Sequence, residues 1–179
     1  MSRGYRISYP VPVWRNVSAH VESADACAMD VGLLDILPEA DMLALLRDRL
    51  KDDGWSPGAD GSLSKKFGPV TAELSPDGKS VTVKAVAKKD VEARGTDDAQ
   101  ANSRLTQAKK DAERELTKSV GKALAAAEGD VRANVQAALQ KVYVEALKRK
   151  AASLGEIEGM VENRGDNGEL ELTIKVRVP

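Results

Sequence analysis

The chain has 179 residues, a formal net charge of -1 and 31% charged residues. This length suffices for one domain or two small ones with a hydrophobic core. Because the net charge is close to zero, the protein has no overall electrostatic field that would favour nucleic acid or acidic substrates. Aromatic residues, at 3%, are too few for a base-stacking or sugar-binding surface. The single cysteine, Cys27, excludes a disulfide within the chain and a thiolate metal cage.

The sequence carries no membrane or export signal. No apolar run approaches the length of a membrane span, and the N-terminus lacks the apolar segment of a secretory signal. We therefore expect a cytoplasmic protein without membrane contact.

The N-terminal residues predict strands and one helix. Residues 5–9 alternate as in a half-buried strand that prolines then interrupt, and two further short strands are expected at 17–21 and 27–31. Pro38 and the acids after it begin a helix. Its buried face is predicted to contain Met42, Leu43, Leu46 and Leu50. Gly54 is expected to end the helix, with Trp55 closing over that end.

A strand meander follows this helix. The pattern predicts strands at 63–67, 70–74 and 80–87, with a tight turn at 75–79 that has the sequence Ser-Pro-Asp-Gly-Lys. With the strands before it, this makes residues 1–95 a small α+β unit.

The stretch from Gly95 to Lys150 is the most distinctive part of the chain. It is rich in strong helix formers, and Thr96 and Asp97 supply capping groups at its start. Gly129 and Asp130 resemble the end of one helix and the N-cap of the next, which predicts an antiparallel helical hairpin over residues 96–150. The alternative is one unbroken helix through Gly129, where a glycine costs only about 1 kcal/mol.

The hairpin has a narrow, coiled-coil-like seam of small residues. In the first helix the seam is predicted to contain Ala101, Leu105, Ala108, Ala112, Leu116, Ser119, Ala123 and either Ala126 or Ala127. Because alanine buries little area, the seam is expected to lie on the sheet, on a second copy of the chain, or on a partner. The residues predicted to bind a partner are Leu105, Ala108, Ala112, Leu116, Val135 and Val142.

Residues 151–179 predict a C-terminal β-hairpin that pairs with the sheet of residues 1–95. Leu170, Leu172, Ile174 and Val176 alternate with polar residues, so one face of the last strand should be buried. The predicted fold is α+β: a mostly antiparallel sheet, a short N-terminal helix, a long Ala-rich helical hairpin and a terminal β-hairpin.

Few residues suggest chemistry. Gly78-Lys79-Ser80 resembles the end of a phosphate-binding loop, but the earlier glycine and the following helix are missing, which favours a hairpin turn. His20 is the only histidine, and no ligand spacing supports a site that would join it to Cys27. Acids near Asp30 and Asp35 could bind a divalent cation, although acids also favour helix N-termini. We expect no cofactor and no bound metal.

A basic stripe is the basis of an alternative function. Lys110, Arg114, Lys118 and Lys122 recur at every fourth position and could track nucleic-acid phosphates, but acidic residues interleave them.

The N-terminal layout resembles a known family. An opening strand, Asp35-Ile36-Leu37-Pro38, a Leu-rich helix ending in Gly54-Trp55 and a meander are similar to accessory proteins of bacterial ternary systems. Those systems combine an FtsH-type or MoxR-type ATPase with a von Willebrand-A protein. The resemblance covers residues 3–90 and implies a cytosolic subunit, with no catalytic residue, whose partners are the ATPase or the von Willebrand-A protein.

These observations favour a non-catalytic adaptor or assembly component that acts through protein–protein contacts of the helical stretch, with homodimerisation possible. Two alternatives stay open: a nucleic-acid-binding module that uses the basic stripe, and a metal-dependent enzyme with a carboxylate site.

Overall fold

Seven strands and two helices make up residues 14–164 and 170–177, the part of the chain that this computed structural model describes. In chain order they are β1 (Arg15–Asp30), α1 (Glu39–Asp52), β2 (Ser56–Pro57), β3 (Leu63–Phe67), β4 (Val70–Leu74), β5 (Ser80–Gly95), α2 (Asp98–Leu154), β6 (Glu156–Arg164) and β7 (Leu170–Arg177). The α+β class is as predicted.

Five strands form one sheet in the order β1-β5-β4-β3-β2. The pairs from β2 to β5 are antiparallel, and the bounds predicted for the first two meander strands are confirmed. Side-chain pairs His20–Asp90 and Glu22–Lys88 show that β1 also runs antiparallel to β5, because one residue number rises as the other falls. Strand β1 therefore forms an edge of this sheet.

Strand β1 is one element of 16 residues, whereas the sequence predicted two short strands in this region. Its odd-numbered residues from Val17 to Met29 are at least partly buried, with the exception of Asp25, and its even-numbered residues are exposed. This period of two continues through the weakly patterned middle of the strand, where tertiary packing maintains the extended conformation. The strand predicted at residues 5–9 lies outside the described residues.

Helix α1 and its C-terminal cap are confirmed. Met42, Leu46 and Leu50 are buried, and Leu43 is half-buried. The N–H of Gly54 donates to the Lys51 carbonyl at 2.9 Å, and that of Trp55 donates to the Leu50 carbonyl at 3.0 Å. These two bonds, with a φ of 88° at Gly54, form a Schellman cap.

Helix α2 is continuous for 57 residues, so the predicted helical hairpin with a turn at Gly129 is wrong. Gly129 is exposed and its φ is not positive. Buried residues lie on both sides of it, at Leu124, Ala127, Val131 and Val135, with spacings of three and four that keep one face. Their burial outweighs the cost of about 1 kcal/mol for one glycine in a helix interior.

The buried stripe of α2 also departs from the predicted seam. After Leu116 the buried residues are Val120 and Leu124 instead of Ser119 and Ala123. From Ala112 to Leu124 the buried residues recur at every fourth position, whereas the predicted seam includes spacings of three.

The chain divides into two compact units, and the first comprises Met1–Ala24 with Val86–Gly121. In its described part, Leu105, Ala112 and Leu116 of α2 form a buried cluster with the strand residues Val21, Val91 and Ala93. The Asp97 carboxylate accepts the Gln100 N–H at 2.7 Å, which confirms the predicted cap at the start of α2.

The second unit comprises Asp25–Ala85 with Lys122–Pro179. Its core combines the buried faces of α1, β3, β4, β5 and the second half of α2. Trp55 is buried here, and its ring contacts Phe67 edge-on at 6.2 Å between centroids.

Strands β6 and β7 pair antiparallel in a two-stranded sheet of their own. Among the described residues they do not extend the five-stranded sheet, which corrects the pairing predicted for residues 151–179. Leu172, Ile174 and Val176 are half-buried and the intervening residues are exposed, as the alternation predicted. The predicted domain boundaries at residues 95 and 150 differ from those of the two compact units, because β1, β5 and α2 each contribute residues to both units.

Candidate functional site

A cleft of about 430 Å³ lies beside the C-terminal end of β1. One wall is segment 27–32, and the other is a face of α2. The α2 residues in this wall are Glu128, Arg132, Val135, Gln136 and Leu139. Val31, Val81 and Val135 are buried, so the floor is apolar. The volume is within the usual range for a ligand site.

Among the described strands none pairs with the outer edge of β1, and this edge borders the cleft. The N–H of Val31 donates to the Lys79 carbonyl at 2.8 Å, which directs the backbone of Val31 toward β5. In an antiparallel pair, successive residues alternate between facing the partner strand and facing away. Ala26, Ala28 and Asp30 therefore direct their N–H and C=O groups away from β5.

Hydrogen bonding at Ala26 agrees with this alternation. Its N–H donates to the carboxylate of Asp25 at 2.8 Å, and so it does not point into the ladder with β5. This contact satisfies one outward donor and leaves those of Ala28 and Asp30 beside the cleft.

The rim of the cleft is charged. The Arg132 guanidinium donates to the Glu128 carboxylate at 2.8 Å, an i,i+4 pair on α2. Asp30 is exposed, and within residues 14–164 and 170–177 its carboxylate has no ion-pair partner. The rim thus carries one carboxylate that is not neutralised.

The hydroxyl of Tyr143 fixes the segment that follows β1. It donates to the Gly32 carbonyl at 2.6 Å. Burial raises the pKa of Tyr143 above its usual value, which already lies well above neutral pH, and the protonated hydroxyl donates this bond. This bond ties residue 32, at the end of the cleft, to α2.

The six residues predicted to bind a partner lie on the stripe of α2 that packs within the chain. Leu105, Ala112 and Leu116 are buried against the sheet in the first unit, and Ala108 packs on the same cluster. Val135 and Val142 are buried in the second unit. The sequence left open whether the seam lies on the sheet, on a second copy or on a partner. In the first unit the structure shows it on the sheet.

The basic stripe is exposed along α2. Lys110, Arg114, Lys118 and Lys122 all face solvent, but so do Asp111, Glu113 and Glu115 between them. The interleaved acids reduce the positive potential that phosphate binding requires.

His20 and Cys27 have separate neighbours. The Nδ1 atom of His20 lies 2.7 Å from the Asp90 carboxylate on the exposed face of the sheet. Cys27 is half-buried and lines the cleft.

The acids near α1 have separate neighbours among the described residues. Glu39 pairs with Lys79 at 3.2 Å, and Asp30 lies at the cleft. Across the described ranges, no three His, Cys, Asp or Glu side chains are placed to hold an ion.

Gly78-Lys79-Ser80 forms the turn between β4 and β5, as the missing loop context indicated. Gly78 has a φ of 71°, and the N–H of Lys79 donates to the Asp77 carboxylate at 3.0 Å. Hydrogen bonds from the Ser75 hydroxyl and then from the Lys79 N–H lower the pKa of Asp77. The serine and the acid together hold the turn.

Sequence reasoning missed the cleft. The available signal was the period of two over residues 17–31, broken only at Asp25, which predicts one long strand. That strand lies across the cleft from residues 128–139 of α2, and this arrangement requires the helix to continue past Gly129.

The fold and the cleft define an α+β protein in which a long helix packs on a sheet and an edge strand borders an apolar groove. Neither helix in the described ranges combines the length and the apolar character needed to cross a membrane. A family model described as FtsH ternary system domain X5 matches residues 1–178. The chain belongs to this family, which confirms the resemblance drawn from residues 3–90. Searches of the curated proteins and of the solved structures returned no match.

Proposed function

We propose that this protein is a non-catalytic accessory subunit that assembles with other proteins of an FtsH ternary system in the cytoplasm. The observation that carries the proposal is the family match over residues 1–178. The partners we propose are an FtsH-type ATPase, which the family description names, and the von Willebrand-A protein that the resemblance of residues 3–90 implies.

The burial pattern supports contacts through surfaces other than the α2 stripe. Leu105, Leu116 and Val142 already stabilise the chain by packing inside it, and exposing them would forfeit about 1.5–3 kcal/mol for each side chain. A partner therefore binds the folded chain at its exposed surfaces, and the edge of β1 with its cleft is one of these.

The test is co-purification from the source genome's own components. The tagged full-length chain is co-expressed, one at a time, with the FtsH-type ATPase and the von Willebrand-A protein of the same ternary system. We expect co-elution with at least one of them in size-exclusion chromatography. The chain alone, run at the same concentration, separates this result from self-association.

Absence of co-elution with either component, pairwise or together, would contradict the accessory role. Catalytic turnover of a substrate by the purified chain alone would contradict the non-catalytic part of the proposal.

A further inference from the structure

The edge of β1 has few of the features that normally block strand addition. Residues 16–30 contain no proline, lysine or arginine, the residue types that protein edges commonly use for protection. Asp25 covers the N–H of Ala26, but Ala28 and Asp30 present outward backbone groups next to an apolar groove.

We propose that this cleft binds an extended segment of a partner protein, which adds to the sheet as a strand along Ala26–Asp30. The inference rests on the proposed accessory role and specifies its binding site. Main-chain hydrogen bonds to an edge strand supply affinity in this mode of recognition, and pockets for alternate side chains supply specificity.

The walls of the cleft define the side chains of the bound segment. Alternate residues of an added strand point to the same face of the sheet as Cys27 and Met29, which is the side of α2. There they meet Val135 and Leu139, so apolar side chains fit at these alternate positions.

The charge of the rim determines which side chains fit at the other positions of the bound segment. Arg132 is already paired with Glu128 at 2.8 Å, whereas Asp30 has no such partner in the described part of the chain. The segment that complements this rim carries basic residues between its apolar ones.

The first test uses the co-elution experiment with two variants of the full chain. Ala28→Pro removes an outward N–H without removing a bond to β5, and Asp30→Lys reverses the charge of the rim. Ser18→Pro and Glu92→Lys are the matched controls, since both residues are exposed on the same sheet and outside the cleft. Circular dichroism checks that all four variants fold.

We expect Ala28→Pro to weaken partner binding by roughly two- to tenfold, the value of one lost hydrogen bond to the edge. Asp30→Lys should weaken it by at least a similar factor, because the new charge repels the basic residues of the segment. The controls should bind as the wild type does. Unchanged binding by folded Asp30→Lys and Ala28→Pro would contradict binding at the cleft while leaving the accessory role intact.

The second test needs no natural partner. Cys27 is the only cysteine and lines the cleft, so the rate of its alkylation reports occupancy. Two synthetic peptides of equal length are compared, one alternating Val with Lys and one alternating Val with Glu. We expect the Val–Lys peptide alone to slow alkylation and to protect the amides of residues 26–30 from hydrogen exchange.

Equal alkylation rates with both peptides and with none would overturn the inference even if the chain co-elutes with its partners. Protection by the Val–Lys peptide, in a chain that co-elutes with no ternary component, would support the cleft and contradict the accessory role.

Discussion

The indole N–H of Trp55 donates a hydrogen bond to the side-chain oxygen of Asn134 at 3.0 Å. Trp55 directly follows the cap of α1, and Asn134 lies in the second half of α2. The indole is buried, so its donor depends on this one amide for a partner among the described residues. The bond links the end of one helix to the side of the other within the second unit.

The first prediction concerns this bond. Asn134→Ala should lower the free energy of unfolding by about 1–3 kcal/mol, because it leaves a buried donor without an acceptor. Denaturant unfolding followed by tryptophan fluorescence measures the change. Gln140→Ala, an exposed polar-to-alanine change in the same helix, is the control for helix propensity. Equal stability of the two variants would show that the bond contributes nothing.

The second prediction tests the continuity of α2. Gly129→Ala should raise the free energy of unfolding by roughly 0.5–1 kcal/mol, because alanine favours a helix interior and a Cβ here meets no atom within 4 Å. Gly121→Ala, in the same setting, should have a similar effect. A loss of stability in Gly129→Ala, with a gain in Gly121→Ala, would indicate a turn at residue 129.

The third prediction concerns the cap of α1. Gly54 has a φ of 88°, in the left-handed region, so Gly54→Ala should destabilise the chain by roughly 1–2 kcal/mol. Gly32→Ala is the control, because its Cβ would also meet open space but its φ is not in that region. Thermal unfolding compares the two, and a midpoint for Gly54→Ala that matches that of Gly32→Ala would contradict a strained cap.

The fourth prediction is a pH dependence. Burial raises the pKa of Tyr143 above its ordinary value of 10.0. The folded chain therefore holds this proton more tightly than the unfolded chain does. The resulting stabilisation is complete below the unfolded pKa and declines as the pH rises above about 10.

Tyr143→Phe removes that contribution. Its stability should fall less steeply in alkaline solution than that of the wild type, and the difference between the two curves isolates the tyrosine from other groups. Ultraviolet absorbance of the phenolate, followed in the same titrations, should show a late-titrating tyrosine only in the wild type. Parallel stability curves would refute the prediction.

The fifth prediction concerns the basic stripe. Because acids interleave Lys110, Arg114, Lys118 and Lys122, we expect duplex DNA to bind without a steep dependence on salt. Filter binding over a series of salt concentrations measures this. Tight binding that collapses with salt, and that reversal of the four residues to Glu abolishes, would instead favour a nucleic-acid module.

The sequence predicted the parts of the fold that local chemistry controls. The serine and acid of the turn at 75–79, the glycine at 54 and the cap at Asp97 each act within a few residues, and all three appear where they were expected. The first two meander strands have the predicted bounds for the same reason, because tight turns border them. The third, predicted at 80–87, continues to Gly95 as β5.

The elements that the sequence misjudged depend on contacts between distant residues. Gly129 and Asp130 have the local signature of a turn, and only the in-phase burial of Leu124 and Val135 on either side keeps the helix intact. Residues 24–26 have weak strand character, and pairing with β5 makes them part of β1.

By itself, the amino-acid sequence determined the α+β class, the caps, the turns and the family resemblance, since these follow from residue types and short spacings. Only the tertiary structure decided that α2 is unbroken, that its alanine-rich stripe lies on the sheet, and that a cleft forms beside the edge of β1. The physical reason is that a local preference of about 1 kcal/mol at one glycine is smaller than the burial of several apolar side chains. That burial exists only once distant segments have come together.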